Sequence, residues 1–472
     1  MNDRPKRAKN KPRPQTTSHA PADARSVALF VLGRILNKNR TLDEGLTEAF
    51  AKGEAAAEME SRDRAFCRLL VATVLRRRGQ IDDVLARCLK NPLQETPARL
   101  LNILRLGAVQ ILFLETAPHA AVDATVRLAG KHASQRGLIN AILRRLDREG
   151  RDWIKAQAEN DTAGQLNTPD WLWQSWSEAW GEETARQIAN CHNNEPALDL
   201  TLKPGSDSAT LATELDAVIL PNGSLRRSAG GRIEELSGYQ DGTWWVQDVS
   251  ATLPARILLN GLKDVSQAEL VDLCAAPGGK TAQLAASGHD VTAVDLSGKR
   301  LQRLSENLAR LHLKANVVTA DLRKWQPARP ANGVLLDAPC SATGTMRRHP
   351  DAAWSKSPEE VERLATIQKG LVEAAIAMLA PDGILVYCTC SLQPEEGEIR
   401  AAEMRRNPDL VHLPVTAEEV PGFEAALTPK GDVRIVPGMI SDPGSGDGTI
   451  PGGNDGFFIT RFRRAPDSSG AS

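Results

Sequence analysis

From about Thr243 onward the chain alternates short, continuous apolar runs with amphipathic stretches, and nothing else in the sequence restricts the fold as strongly. The runs are Leu270 to Cys274, Val291 to Asp295, Asn316 to Asp321, Val334 to Pro339 and Ile384 to Cys390. Between them Leu301, Leu304, Leu308 and Leu311 mark one helical face, and Val361, Leu364, Leu371 and Met378 mark another. Strands this uniformly apolar are buried on both faces of a parallel sheet. The expectation over residues 243–465 is a Rossmann-like, doubly wound and mainly parallel α/β domain, with ligands at the carboxyl ends of the strands.

At 472 residues the chain exceeds one ordinary domain. Helical periodicity governs 23–150, where Leu42, Leu46 and Phe50 share a face and Leu100, Ile103, Leu104, Gly107, Ala108 and Ile111 form a wide stripe. This predicts an all-α bundle. In the stretch WLWQSWSEAW, Trp173, Trp176 and Trp180 fall at helical spacing and read as packing. They belong to a helical linker that leads into a small α/β unit, together spanning 151–242. The basic, Pro-rich residues 1–22 and the residues 466–472 have too few apolar side chains to fold and are predicted to be disordered tails.

A net charge of -1 gives no global attraction to a polyanion, so local clusters would have to supply it. Candidates are the N-terminal lysines and arginines, Arg76 to Arg78, Arg144 with Arg145, and Arg347 with Arg348. No apolar run is long enough to span a bilayer, and no membrane partner is expected. The chain reads as a cytoplasmic monomer.

The first strand runs into DLCAAPGGKTAQLAA. A Walker phosphate loop would need glycine where Cys274 stands, so the nucleoside-triphosphatase reading fails there. What remains is a strand, a tight Gly278-Gly279 turn and a helix, which brings backbone N–H groups close to a ligand. The following strands end in Asp295, Asp321 and Asp337, acids in register along one crevice. A nucleoside-bearing cofactor without phosphate fits this ladder, Asp295 standing where such folds accept ribose hydroxyls.

The run GILVYCTCS carries Cys388 and Cys390, for which a metal site, a disulfide, simple burial and a reactive thiol compete. Seven unevenly spaced cysteines do not make a disulfide framework, and with no CxxC or second close pair no metal is expected. Cys340 follows the fourth strand directly and Cys390 ends a later one, so both thiols reach the sheet edge that carries the aspartates. A thiol that must ionise belongs at such a polar mouth, whereas Cys388 reads as buried.

DLCAAPGGKT, DAPCSATG with RRHPD, and CTCSLQPEE resemble the signature motifs of the RNA 5-methylcytosine methyltransferases, the Nol1/Nop2/Sun superfamily. The N-terminal half, through LNILRLGAVQILFLETAPHAAVDATVRLA and GLINAILRRLDREG, resembles the NusB-like RNA-binding bundle fused to this enzyme in the bacterial Sun/Fmu branch, which methylates small-subunit ribosomal RNA. The resemblance implies S-adenosylmethionine as cofactor and RNA, most simply 16S rRNA rather than DNA, as partner. It makes Cys390 the thiol that attacks carbon 6 of cytosine and Cys340 the thiol that helps remove the carbon 5 proton. The opposite assignment, used by DNA cytosine methyltransferases, competes with it. The resemblance further implies that Cys274, Ala275, Ala276, Pro277, Gly278, Gly279 and Lys280 surround the methionine part, that Asp295 holds the ribose, and that Asp321 lies near the adenine. Asp337 would face both cofactor and base, and Lys280 is the cation best suited to lower a thiol pKa. Ala342 stands where the family usually has glycine. A transfer-RNA methyltransferase and a non-catalytic RNA-binding assembly factor remain as alternatives.

Overall fold

A computed structural model describes residues 23–228, 230–441 and 451–466. The expected tails, 1–22 and the residues after 466, lie outside it.

The N-terminal bundle is built around the helix Ala98–Leu112, in which every residue from Leu100 to Ile111 is buried. Gly107 allows that closeness, because a Cβ there would stand 2.6 Å from the methyls of Leu143. Leu42–Ala49 begins with a reciprocal cap between Thr41 and Glu44 and turns Leu42 and Leu46 into the core. The linker follows with the helices Asp170–Trp180 and Glu182–His192, and Trp176 is fully buried between them and the catalytic domain. Its small sheet is antiparallel, in the order Val218–Ile219, Leu225–Arg227, Leu198–Leu202 and Trp244–Val246. The last strand lies inside the range expected for the catalytic domain. Arg226 and Asp199 pair across this sheet through two bonds of 2.7 and 2.8 Å, both side chains buried.

The large sheet has eight strands: β1 Glu269–Leu273, β2 Asp290–Asp295, β3 Asn316–Thr319, β4 Ala331–Asp337, β5 Leu379–Thr389, β6 Leu410–His412, β7 Val433–Ile435 and β8 Phe457–Arg464. The spatial order is β6-β8-β5-β4-β1-β2-β3, with β7 also on β8. The five strands β3 to β5 in that order are parallel. Contacts to β8 are antiparallel. Alternate residues of the strands enter two separate apolar clusters, one on each face, which accounts for the unbroken apolar runs. β1, β3 and β5 stop one or two residues before the runs do, so Cys274, Asp321 and Cys390 sit in the turns just beyond their strands.

The bundle and the catalytic domain are joined through the arginines. Arg76 donates to the carbonyl of Arg347 at 3.0 Å, Trp354 donates to the carbonyl of Leu75 at 2.8 Å, and Arg78 lies 4.3 Å over the Trp354 ring. Arg347 itself is buried and pairs with Asp248 at 3.1 Å, while Arg348 pairs with Asp455 at 2.7 Å. The Arg76 to Arg78 and Arg347 to Arg348 clusters therefore differ from the free polyanion-binding patches the sequence suggested. Their side chains hold domains together, and burial lowers Arg76 and Arg78 to about 10. Among the described residues no helix is long and apolar enough to cross a membrane.

Candidate active site

Strand order reverses on either side of β1, and the crevice opens where the ends of β1 and β4 diverge. Pairing of β4 with β5 sets Asp337 opposite Cys388, so the residues that follow enter the crevice side by side. Beyond the strands the two chains stay stitched: Ala338 N–H donates to Cys388 O at 3.0 Å and Gly344 N–H donates to Cys390 O at 3.0 Å. Gly456, just before β8, donates in turn to Gly344 O at 2.8 Å. The result is that Cys340 Sγ and Cys390 Sγ stand 3.5 Å apart, both residues half-buried.

Cys388 lies two residues earlier, in the apolar cluster against which Cys390 also packs. It is fully buried and its Sγ donates to Asp337 Oδ1 at 3.4 Å. Lys280 Nζ donates to the other oxygen of Asp337 at 2.8 Å and lies 5.2 Å from the centre of the Phe457 ring. Burial opposes the lysine charge, but Asp337 outweighs it and holds the ammonium above its ordinary range. Cys340 is pushed well up by its bond to Cys390, by burial and by the negative charge of Glu396. Burial, followed by Asp337, does the same to Cys388 and Cys274.

The glycine loop leaves β1 with Cys274 at φ 61° and turns at Gly278 with φ 106°. A Cβ on Gly278 would come within 2.7 Å of Leu304, so the turn requires glycine for space as well as for φ. Asp295 is buried and binds this loop: its carboxylate accepts from Ala276 N–H at 3.2 Å and from Ser297 N–H at 2.9 Å, with Arg300 at 3.4 Å. Beside it Leu296 is 74% exposed. A carboxylate with lone pairs to spare next to bare apolar surface fits a ribosyl purine, and the residues present suit the adenosyl end of S-adenosylmethionine. Asp321 follows Ala320, whose N–H donates to Asp295 O at 3.2 Å, and its carboxylate is held by Arg323 at 2.9 Å.

Asp272, inside β1, is fully buried and accepts from Thr281 Oγ1 at 2.5 Å, while its Oδ1 has no hydrogen-bond partner among the described residues. Burial pushes it up to about 7. The folded chain thus holds this proton more tightly than the unfolded chain does. Its stabilising effect is complete below the unfolded value and is lost as pH rises through about 7. Asp272→Asn is accordingly expected to raise the thermal unfolding midpoint at about pH 8, with the difference closing toward about pH 5. Parallel melting curves at the two pH values check this.

Sequence reading overlooked Glu396, Asp248 and Asp455, whose partners are far away in the chain. Only Glu396 had a local marker, its place in CTCSLQPEE. It also overlooked a cleft of about 1030 Å³ between the bundle and the catalytic domain, bordered by Thr41, Pro277, Arg300, Arg303, Ala342 and His349. Ala342 adopts φ 57° at this border, a left-handed conformation that the glycine usual at this position would take without strain.

A doubly wound sheet with a glycine turn after its first strand, beside a thiol pair at the strand ends, agrees with the class that the family match defines, a methyltransferase that draws on S-adenosylmethionine. Residues 259–463 match the family described as 16S rRNA methyltransferase RsmB/F, and residues 22–148 match the NusB family. The ribosomal RNA small subunit methyltransferase B of Vibrio cholerae is 31% identical over 404 residues, covering 80% of this chain and 92% of that protein. Its namesake in Xylella fastidiosa is 33% identical over 465 residues, covering 93% and 97%. The chain belongs to this RsmB/F family of RNA methyltransferases, with a NusB domain at its N-terminal side. The crystal structure of PH0851 shares the fold, with a TM-score of 0.67 at 20% identity over 94% of this chain and 99% of that one.

Proposed function

We propose that this chain methylates carbon 5 of a cytosine in 16S ribosomal RNA through a transient covalent bond between the base and Cys390. The observation that carries the reading is the pair of half-buried thiols 3.5 Å apart, next to the Lys280 to Asp337 ion pair. Carbon 5 of cytosine is too poor a nucleophile to react unaided. Addition of the Cys390 thiolate to carbon 6 forms an S–C bond and moves the ring electrons to carbon 5. S-adenosylmethionine, when bound, supplies an electrophilic methyl group.

Asp337 meets the edge of the base as a hydrogen-bonding partner, and Lys280, bonded to it at 2.8 Å, supplies the positive charge that steadies the electrons moved onto the ring. Once the S–C bond has consumed the Cys390 charge, Cys340 gives its own proton to solvent and, as thiolate, takes the proton from carbon 5; the electrons of that C–H bond restore the ring double bond and expel Cys390 as thiolate. The stitched turn beyond β4 and β5 supports this division, since it keeps the second sulfur in contact with the first. The loop Cys274 to Lys280 surrounds the methionine part and Asp295 takes the ribose hydroxyls, while Asp321 marks the adenine end. The 16S substrate is supported by the description of the matching family and by relatives named ribosomal RNA small subunit methyltransferase B. Site mapping by bisulfite sequencing of 16S rRNA, from cells with and without this protein, tests it. Methylation confined to transfer RNA would overturn the substrate.

The cleft between bundle and catalytic domain is the route by which an unstacked base reaches the thiols. Arg303 is exposed and also borders a second cavity of about 670 Å³ along the bundle. Among the described residues no acid pairs with it. Arg303→Glu is expected to weaken RNA binding uniformly across sequences and to lower the salt dependence by about one phosphate contact. Binding titrations at several salt concentrations measure both.

A further inference from the structure

Behind the two thiols lies a carboxylate that the mechanism above does not use. Glu396 is fully buried, and among the described residues no cation pairs with it. Its oxygens are instead held by donors from the two cysteine turns. Ser341, next to Cys340, donates its backbone N–H to both oxygens at 3.0 and 3.2 Å and its hydroxyl to one of them at 2.5 Å. The Ser341 hydroxyl also stands 3.0 Å from that of Ser391, the residue after Cys390. Gln368 closes the ring, donating to Glu396 Oε1 and to Pro339 O, each at 3.0 Å, and the Tyr387 hydroxyl donates to the Glu396 carbonyl at 2.8 Å.

A buried carboxylate with no counter-ion is costly, and burial does push its proton affinity up. Core packing would be served by an apolar residue at lower cost. What an apolar residue cannot do is grip two adjacent turns through their serines and set a negative charge beside one of the two sulfurs.

We propose that Glu396 is a positioning residue that divides the labour of the thiols, fixing the Cys340 turn against Cys390 and reserving Cys340 as the proton carrier. The proposal rests on the two-thiol reading above and names what makes chemically identical groups unequal. Glu396, held on the Cys340 turn through Ser341, adds its negative charge to the bond with Cys390 and to burial in disfavouring a thiolate at Cys340, while Tyr387 lies on the same core side. On the other side Lys280 and Arg348 both feel the charge of Cys390. Asp337 and Asp455 pair with those two cations, and Arg400 acts on Tyr387 from behind. Glu396 thus sets behind Cys340 a negative charge without a cation partner among the described residues, whereas the charges around Cys390 come as two ion pairs.

The test is alkylation of the full-length chain by iodoacetamide across a pH series, read at each cysteine by peptide mass spectrometry and needing no RNA. Glu396→Gln is expected to move the Cys340 midpoint down by about one pH unit, roughly tenfold faster modification at a fixed pH. S-adenosylmethionine affinity should be retained, which shows that the cleft is intact. An unmoved Cys340 midpoint overturns the proposal. Should Glu396→Gln fail to fold, Ser341→Ala keeps the carboxylate and the backbone donor while removing one grip. It is expected to slow release of the RNA adduct about tenfold with KM for S-adenosylmethionine unchanged, and unchanged release overturns the proposal. Failure of the two-thiol reading itself would appear elsewhere, as methyl transfer surviving in Cys390→Ala.

Discussion

Cys390→Ala is expected to abolish methyl transfer, a loss of roughly 10⁴-fold or more, because without the thiolate carbon 5 is never activated. Cys340→Ala should behave differently. Its Cys390 can still add to the base, whose carbon 5 then takes the methyl group, but proton removal stalls, and the chain stays bound to its RNA. A slowly migrating band on a denaturing gel, dependent on S-adenosylmethionine and sensitive to ribonuclease, reports this. The same band formed through Cys340 in the Cys390→Ala chain would reverse the roles. The contrast is a strong one because both side chains sit at 3.5 Å, so loss of either removes a similar volume from the same half-buried place. A merely structural pair would give two similar defects.

Asp337→Asn is the second large effect. Asparagine keeps the shape and an acceptor for Cys388, but it removes the charge that balances Lys280. A fall in kcat of about 10²–10³-fold is expected, in the range of losing one group that stabilises transition-state charge. Stability should drop by about 2 kcal/mol, less than for a fully enclosed pair, since the Asp337 side chain keeps 30% of its surface open. Single-turnover rates and urea unfolding separate the two. Activity within a few-fold of the parent would remove Asp337 from the chemistry and leave it as a partner of Lys280 alone.

The architecture was legible wherever one local rule decided it. Four of the five parallel strands are apolar runs with both faces covered, whereas β3, expected to be buried likewise, is the edge strand and leaves Val317 and Val318 only half-buried. The helix Gly298–Arg310 showed itself through Leu301, Leu304 and Leu308. The tryptophans of WLWQSWSEAW declared packing by their spacing, yet not what they pack on: Trp176 donates to Gln393 at 3.1 Å, directly behind the Cys390 turn. That contact joins residues 217 positions apart. Arg347 was misjudged for the same reason, since a pair of adjacent arginines looks alike whether it faces solvent or meets Asp248 and Asp455 in the interior. β8 was missed although Phe458, Thr460 and Phe462 alternate with Phe457, Ile459 and Arg461. Its place between β5 and β6 depends on pairing across long intervening segments, which no window of the sequence contains.

That late strand bears on how the enzyme comes into being during translation. The strand that leads to Cys390 presents an open edge until residues 457–464 arrive beside it, and Phe457 and Gly456 complete the surroundings of Lys280 and of the Cys340 turn only then. A nascent chain still tethered by this segment in the ribosomal exit tunnel already holds every cysteine, but not yet the strand beside β5 or the Gly456 bond to the Cys340 turn. Pairing of residues 457–464 is thus the step that closes the β5 edge and completes the surroundings of the thiol pair.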